Sequence, residues 1–194
     1  MTPPFAMTVC GIEELAAHCT TRASHVLSIL DPEAPLPEAF GTYGEHEKLE
    51  LRFDDIIEVT PGRLAPEADH IAALLGFGRS LLRQKRESPH LLVHCHAGIS
   101  RSTAAMSLIL AQAMPEQPAA AILGLVHSIR EKAWPNLRIM EIGDAMLQRD
   151  GTLVAATHAL HGLQIARRPQ LVELMERAGR GRELALAKHS PTPA

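Results

Sequence analysis

Residues 91–103 read LLVHCHAGISRST. The apolar run Leu91-Leu92-Val93 has the composition of a buried strand and ends at His94-Cys95-His96. His96, Ala97, Gly98, Ile99 and Ser100 are mostly small or flexible, and from Arg101-Ser102 an Ala/Leu/Met-rich stretch runs to Pro115. This pattern predicts a strand, a tight loop and a helix that starts near Arg101. Three chemistries compete for the cysteine. A metal site fits poorly: on a strand His94 and His96 share one face and Cys95 the other, and no second ligand pair accompanies them. A buried, inert thiol explains the strand but not the loop. Phosphate binding explains both. Such a loop can curl its successive N–H groups into one cavity, capped by a helix N-terminus. The same positive field favours a thiolate, taking a cysteine from about 8.5 to roughly 3.5–7.5. Arg101 adds a planar fork for two phosphate oxygens.

The rest of the chain sets limits on this reading. With 194 residues and 46% hydrophobic content it is long enough for one domain with a real core. The net charge of −3 gives no general attraction for nucleic acid or anionic membrane, so an anion site has to be local. No aromatic-plus-basic stripe points to nucleic acid as a partner. Cys10, Cys19 and Cys95 are too few for a disulfide framework, and the expectation is a reducing, cytoplasmic setting. The first residues, MTPPFAMTVC, lack the pattern of a signal peptide, and no apolar run reaches 18 residues, so no membrane span is expected.

Short β-type runs lie at Thr8–Cys10, His25–Leu30, Lys48–Phe53 and His90–His94. Helical periodicity covers Pro66 to about Lys85, Arg101–Met114, Ala119–Lys132, Leu137–Gln148 and Leu153–Ile165, with 12–19 short and ambiguous. Residues 31–45 read as a Pro/Gly-rich loop and 179–194 as a frayed tail. Strands alternating with helices predict an α/β fold: a central, mostly parallel sheet of four to five strands with helices on both faces. The expected division is a domain over 1–165, followed by a C-terminal helix and tail over 166–194.

The string HCHAGISRS resembles the signature loop of the cysteine-dependent protein tyrosine phosphatase superfamily, most closely its dual-specificity branch. LELRFDD (49–55) is similar to the strand and loop that carry that family's general acid. AWPNLRIMEIGDAML (133–147) resembles its later Pro-Asn segment, and VCGIEEL and SHVLSIL fit its opening strands. The resemblance spans about 8–148. It implies a dual-specificity-type fold, a phosphorylated protein or small phosphomonoester as substrate, and no cofactor or metal. It casts Cys95 as nucleophile forming a phosphocysteine. Arg101 and the N–H groups of 96–101 would hold the equatorial oxygens, and Ser102 would donate to the sulfur as it departs. His94 becomes a supporting hydrogen-bonding residue or a plain strand-end histidine. His96 either lines the pocket or faces outward. Asp55 best matches the acid position, with Asp54 as the alternative or as a loop anchor. The gap from Asp55 to Cys95 is 40 residues, longer than is usual in that family, and the expectation is that 56–69 holds the extra length, as a flap or a surface loop.

Other functions stay open at this stage. The loop lacks the lysines of lipid-phosphate members, which favours a phosphoprotein or a simple monoester over an inositol or nucleotide phosphate. A rhodanese-like sulfurtransferase also places a cysteine after a strand, but in a shorter loop and without the FDD segment. A catalytically dead phospho-binding module would be expected to lack Cys95, Arg101 or the acid. Cys10 or Cys19 is a possible redox partner for Cys95.

Overall fold

The computed structural model describes residues 2–39, 44–83 and 89–188. Four strands, β1 (Ala6–Gly11), β2 (His25–Leu30), β3 (Glu47–Arg52) and β4 (His90–Cys95), form one sheet in the order β1-β4-β2-β3. Every pairing is parallel. Because β4 lies between β1 and β2, whatever follows Cys95 emerges at the centre of the sheet's carboxyl edge. The register sets Gly11 beside Cys95, and Ser28 beside His94.

Alternation along the strands divides the core in two. Val9, Leu27, Ile29, Leu91, Val93 and Cys95 face the larger cluster, while Cys10, Val26 and Leu92 face a smaller one with Leu15. The α-helices α1 (Ala68–Arg83), α2 (Arg101–Ala113), α3 (Ala119–Ile129), α4 (Leu137–Met146) and α5 (Thr152–Arg167) contribute to the larger cluster. The smaller face is covered by a 3-10 helix over Ile12–Thr21, the segment that was ambiguous in sequence. Helix α2 is buried along Arg101–Ala111, and α1, α3 and α4 pack around it. A helix without a polar face belongs in the middle of a domain, and the run RSTAAMSLILA provides one.

The C-terminal end departs from expectation. Helix α5 runs through Arg167, across the boundary expected after 165, and is followed by α6 (Leu171–Arg177) and α7 (Gly181–Lys188). Residues 179–188 are therefore not a frayed tail. Arg180, Glu183, Leu184 and Ala187 are buried, and α7 packs on α5. The polar composition of this stretch conceals two inward faces: Leu184 and Ala187 bury apolar surface, while Glu183 accepts hydrogen bonds inside the fold. Residues 189–194 lie outside the described residues, as do Gln84 and Lys85 of the expected first helix.

Under α7, Trp134 stacks on His161, with centroids 4.1 Å apart and planes 8° from parallel. His161 is fully buried and contacts the Pro135 carbonyl at 3.0 Å. Burial first, and then the nearby Arg180, take its pKa from the usual 6.5 down to about 3. Between those values the unfolded chain binds a proton that the folded chain refuses. Stability from this group is therefore complete above 6.5 and declines as pH falls. The slope is about 1.4 kcal/mol per pH unit. Urea unfolding at pH 7, 6 and 5 is expected to show a shallower loss in His161→Phe than in the wild type, by about half that amount from pH 7 to 6 and nearly all of it from pH 6 to 5. Equal slopes would mean an ordinary, solvated imidazole.

Candidate active site

The site is built where β4 ends. The loop His96–Ser100 joins Cys95 to Arg101, the first residue of α2. Its carbonyls are all drawn outward. His96 O accepts from the Ile12 amide at 2.9 Å. Ala97 O and Gly98 O accept from Arg130 Nη2 and Nε, both at 2.9 Å. Ile99 O accepts from the Trp134 amide at 2.9 Å, and Ser100 O from the Ala104 amide at 3.0 Å. In a trans peptide the N–H points opposite the preceding carbonyl. Five outward carbonyls therefore turn the N–H groups of Ala97 to Arg101 toward the opposite, inner side. That nest of N–H groups suits an anion, with the N-terminus of α2 closing one side.

The loop's tight path depends on glycine. Gly98 has φ +68°, and a Cβ there would lie 2.4 Å from the Cys10 carbonyl carbon and 2.6 Å from Gly11 N. Behind it, Glu14 accepts from the Gly11 amide at 2.6 Å and pairs with Arg130 at 2.9 Å. The Arg130 hydrogen bond holds the Glu14 carboxyl below its usual range.

A cavity of about 370 Å³ opens over the nest, and Cys95, His96, Arg101, Asp55, Asp31 and Arg63 are among its lining residues. Cys95 is buried, its Sγ 3.2 Å from Ser102 Oγ. Arg101, only 2% exposed, donates Nη1 to Phe53 O at 2.6 Å and pairs with Asp31 at 2.7 Å. His96 is exposed at the rim. His94 lies behind the site, its Nε2 2.5 Å from Ser28 Oγ, and its ring also interacts with the Cys95 backbone. Burial takes its pKa from 6.5 down to about 4, so it is neutral at neutral pH. His94, Cys95 and His96 thus point to three different surroundings.

The two aspartates play different parts. Asp54 anchors the long loop after β3: its side chain accepts from the Leu64 amide at 2.7 Å and pairs with Arg63 at 2.8 Å. Arg63 reaches the cavity from that loop, so part of the extra length in 56–69 folds back over the site. Asp55 Oδ1 accepts from Ser100 Oγ at 2.7 Å, Asn136 Nδ2 at 2.8 Å and Arg180 Nη1 at 3.2 Å. Every described hydrogen bond of this side chain ends on Oδ1.

Several of these residues were not singled out in the sequence: Asp31, Arg63, Arg130 and Arg180. Asn136 lay within the quoted Pro-Asn segment without a role assigned, and Ser100 was expected to act only as part of the loop, not through its hydroxyl. The cavity wall also includes Leu174, Met175 and Ala178 from and just after α6. Cys10 faces the smaller core cluster, on the other side of the sheet from Cys95. Burial, then Glu14, push its thiol up to about 12. Cys19 sits half-buried in the 3-10 helix, and all three cysteines are free thiols.

No protein-family model matches the sequence. No curated protein matches it. Solved structures do resemble it. Human DUSP28 superposes with a TM-score of 0.53 at 15% identity, over 74% of this chain and 94% of that one. The Yvh1 phosphatase domain from Chaetomium thermophilum gives a TM-score of 0.52 at 22% identity, over 76% and 93%. PTPMT1, in complex with PI(5)P, gives 0.53 at 14% identity, over 74% and 91%. The chain therefore has the fold of dual-specificity and related protein tyrosine phosphatases.

The close approach at Gly98 gives a direct test of the nest. Gly98→Ala is expected to cost about 2–4 kcal/mol from overpacking and a left-handed alanine. The wild type is expected to bind orthovanadate in isothermal titration, and Gly98→Ala to lose that binding. Retained vanadate affinity at unchanged stability would show that the loop does not need this conformation.

Proposed function

We propose that this chain is a metal-independent phosphatase that hydrolyses phosphomonoesters, phosphotyrosine above all, through a phosphocysteine intermediate. The observation that carries the reading is the outward turn of the five loop carbonyls, because it sets a ring of N–H groups around a buried cysteine. Charge spread over three phosphoryl oxygens is what such a ring stabilises.

In this reading Cys95 Sγ attacks phosphorus and the bond to the leaving oxygen breaks. Arg101 holds the equatorial oxygens. Its Nη1 is occupied by Phe53 O and Asp31, while its Nε–H is buried without a protein partner among the described residues. A bound oxyanion satisfies that donor. Asp55 gives its proton to the leaving oxygen. With Oδ1 held by three donors, Oδ2 is the oxygen that carries the proton. In the second step Asp55 takes a proton from water, water attacks phosphorus, and the P–S bond breaks. Ser102 Oγ, 3.2 Å from the sulfur, then donates to the departing thiolate.

Two features of the cavity support this substrate class. The loop positions between Cys95 and Arg101 carry no lysine to grip further phosphates. Leu174, Met175 and Ala178 add an apolar wall suited to an aromatic ring. PTPMT1 makes PI(5)P the second substrate to compare.

The test is hydrolysis of p-nitrophenyl phosphate, a phosphotyrosine peptide and PI(5)P with EDTA present. The wild type is expected to turn over the first two, and acid-quenched samples to carry a phosphoryl mass on the Cys95 peptide. Cys95→Ser is expected to be inactive. Asp55→Asn is expected to lose roughly 10²- to 10³-fold on the peptide. An inert wild type with a reduced Cys95 would sink the assignment, and preference for PI(5)P would replace the substrate class.

A further inference from the structure

Residues 171–188 lie beyond the stretches that carry the family resemblance, yet they reach the centre of the site. Arg180 is 4% exposed and joins three partners. Its Nη1 donates to Asp55 Oδ1 at 3.2 Å, and Nη1 and Nη2 lie 3.3 and 3.2 Å from Ser100 Oγ. Its Nε and Nη2 donate to the two oxygens of Glu183 at 2.9 and 2.6 Å. Glu183 is fixed in turn by Trp134 Nε1 at 2.6 Å and the Leu137 amide at 2.9 Å. Burial opposes the charge on Arg180, but the carboxylates of Glu183 and Asp55 outweigh it and hold its pKa above the usual arginine value. The guanidinium is therefore a fixed cation, braced from behind by the core.

The next arginine repeats the pattern further out. Arg182 Nε donates to Glu58 Oε1 at 2.6 Å, and its other nitrogens pair with Glu141 of α4. The start of α7 therefore grips the loop after β3 at two points. One of them also holds the phosphate loop through Ser100.

We propose that Arg180 is a positioning residue that fixes Asp55 against the phosphate loop and so presents Asp55 Oδ2 to the leaving-group oxygen. The inference rests on the reading of Asp55 as the general acid. Two loops that must meet at one phosphoryl group are joined here by one planar side chain. Lysine could keep the charge but not bridge Asp55, Ser100 and Glu183 together.

The test uses the full chain and a series of aryl phosphates from p-nitrophenyl to phenyl phosphate, read as kcat/KM. A good leaving group needs little protonation, so a misplaced acid shows mainly on phenyl phosphate. Arg180→Met is expected to lose roughly 10- to 100-fold on phenyl phosphate and less than about 3-fold on p-nitrophenyl phosphate. Arg180→Lys is expected to fall between, and Arg180→Met/Asp55→Asn to be no worse than Asp55→Asn alone. The ratio of the two substrates within one sample does not depend on the folded fraction, so a destabilised variant still gives an answer. An equal loss on every substrate would mean that Arg180 binds phosphate or only supports the fold, and would overturn the proposal. If Asp55→Asn is selective for phenyl phosphate and Arg180→Met is not, the positioning role fails alone. If Asp55→Asn shows no selectivity, the acid assignment fails and takes the proposal with it.

Discussion

The site depends on the direction of five peptide planes. A chain with a net charge of −3 has no overall pull on an anion, so the proposed phosphate site relies on local backbone dipoles. Those dipoles converge only while each carbonyl from His96 to Ser100 has an outward partner. The partners come from the start of the 3-10 helix, from Arg130 after α3, from Trp134 and from α2 itself. Much of the molecule can be read as scaffolding for that condition. The parallel order β1-β4-β2-β3 puts the Gly11–Ile12 amides beside the loop, and the Glu14–Arg130 pair aims a guanidinium at two of its carbonyls.

What was legible in the sequence was local. The strands and helices from β1 to α5 follow from alternation and 3.6-residue periodicity, because each buries one face. Cys95, Arg101 and Ser102 fall within eight consecutive residues, so their proximity needs no tertiary knowledge, and the Cys95–Ser102 contact in the fold agrees with that. Asp54 and Asp55 were visible as a pair at a strand end. Only the fold separates them: Asp54 turns to its own loop and Asp55 to the loop after Cys95.

The illegible part was long-range and charged. Arg180 and Asp55 are 125 residues apart, and Arg130 and Glu14 are 116 apart. A long-range ion pair leaves no periodic trace, because its members look like ordinary surface residues until the partner is known. GRGRELALAK therefore read as solvated chain, although Arg180 and Glu183 are among its most enclosed side chains. Fold likeness at 14–22% identity follows the same division. That likeness speaks for the fold, while the ion pairs of Arg180 and Arg182 are read from this chain's own side chains.

Trp134 is the chain's one tryptophan. Its amide holds the Ile99 carbonyl of the phosphate loop, its indole N–H holds Glu183, and its ring lies flat on His161. A single fluorophore therefore touches both the nest and the brace behind Arg180. Its emission is a built-in optical gauge of the site, sensitive to the loop's set without any attached dye. Stopped-flow mixing with an oxyanion can follow that light in a chain where no second tryptophan overlays the signal.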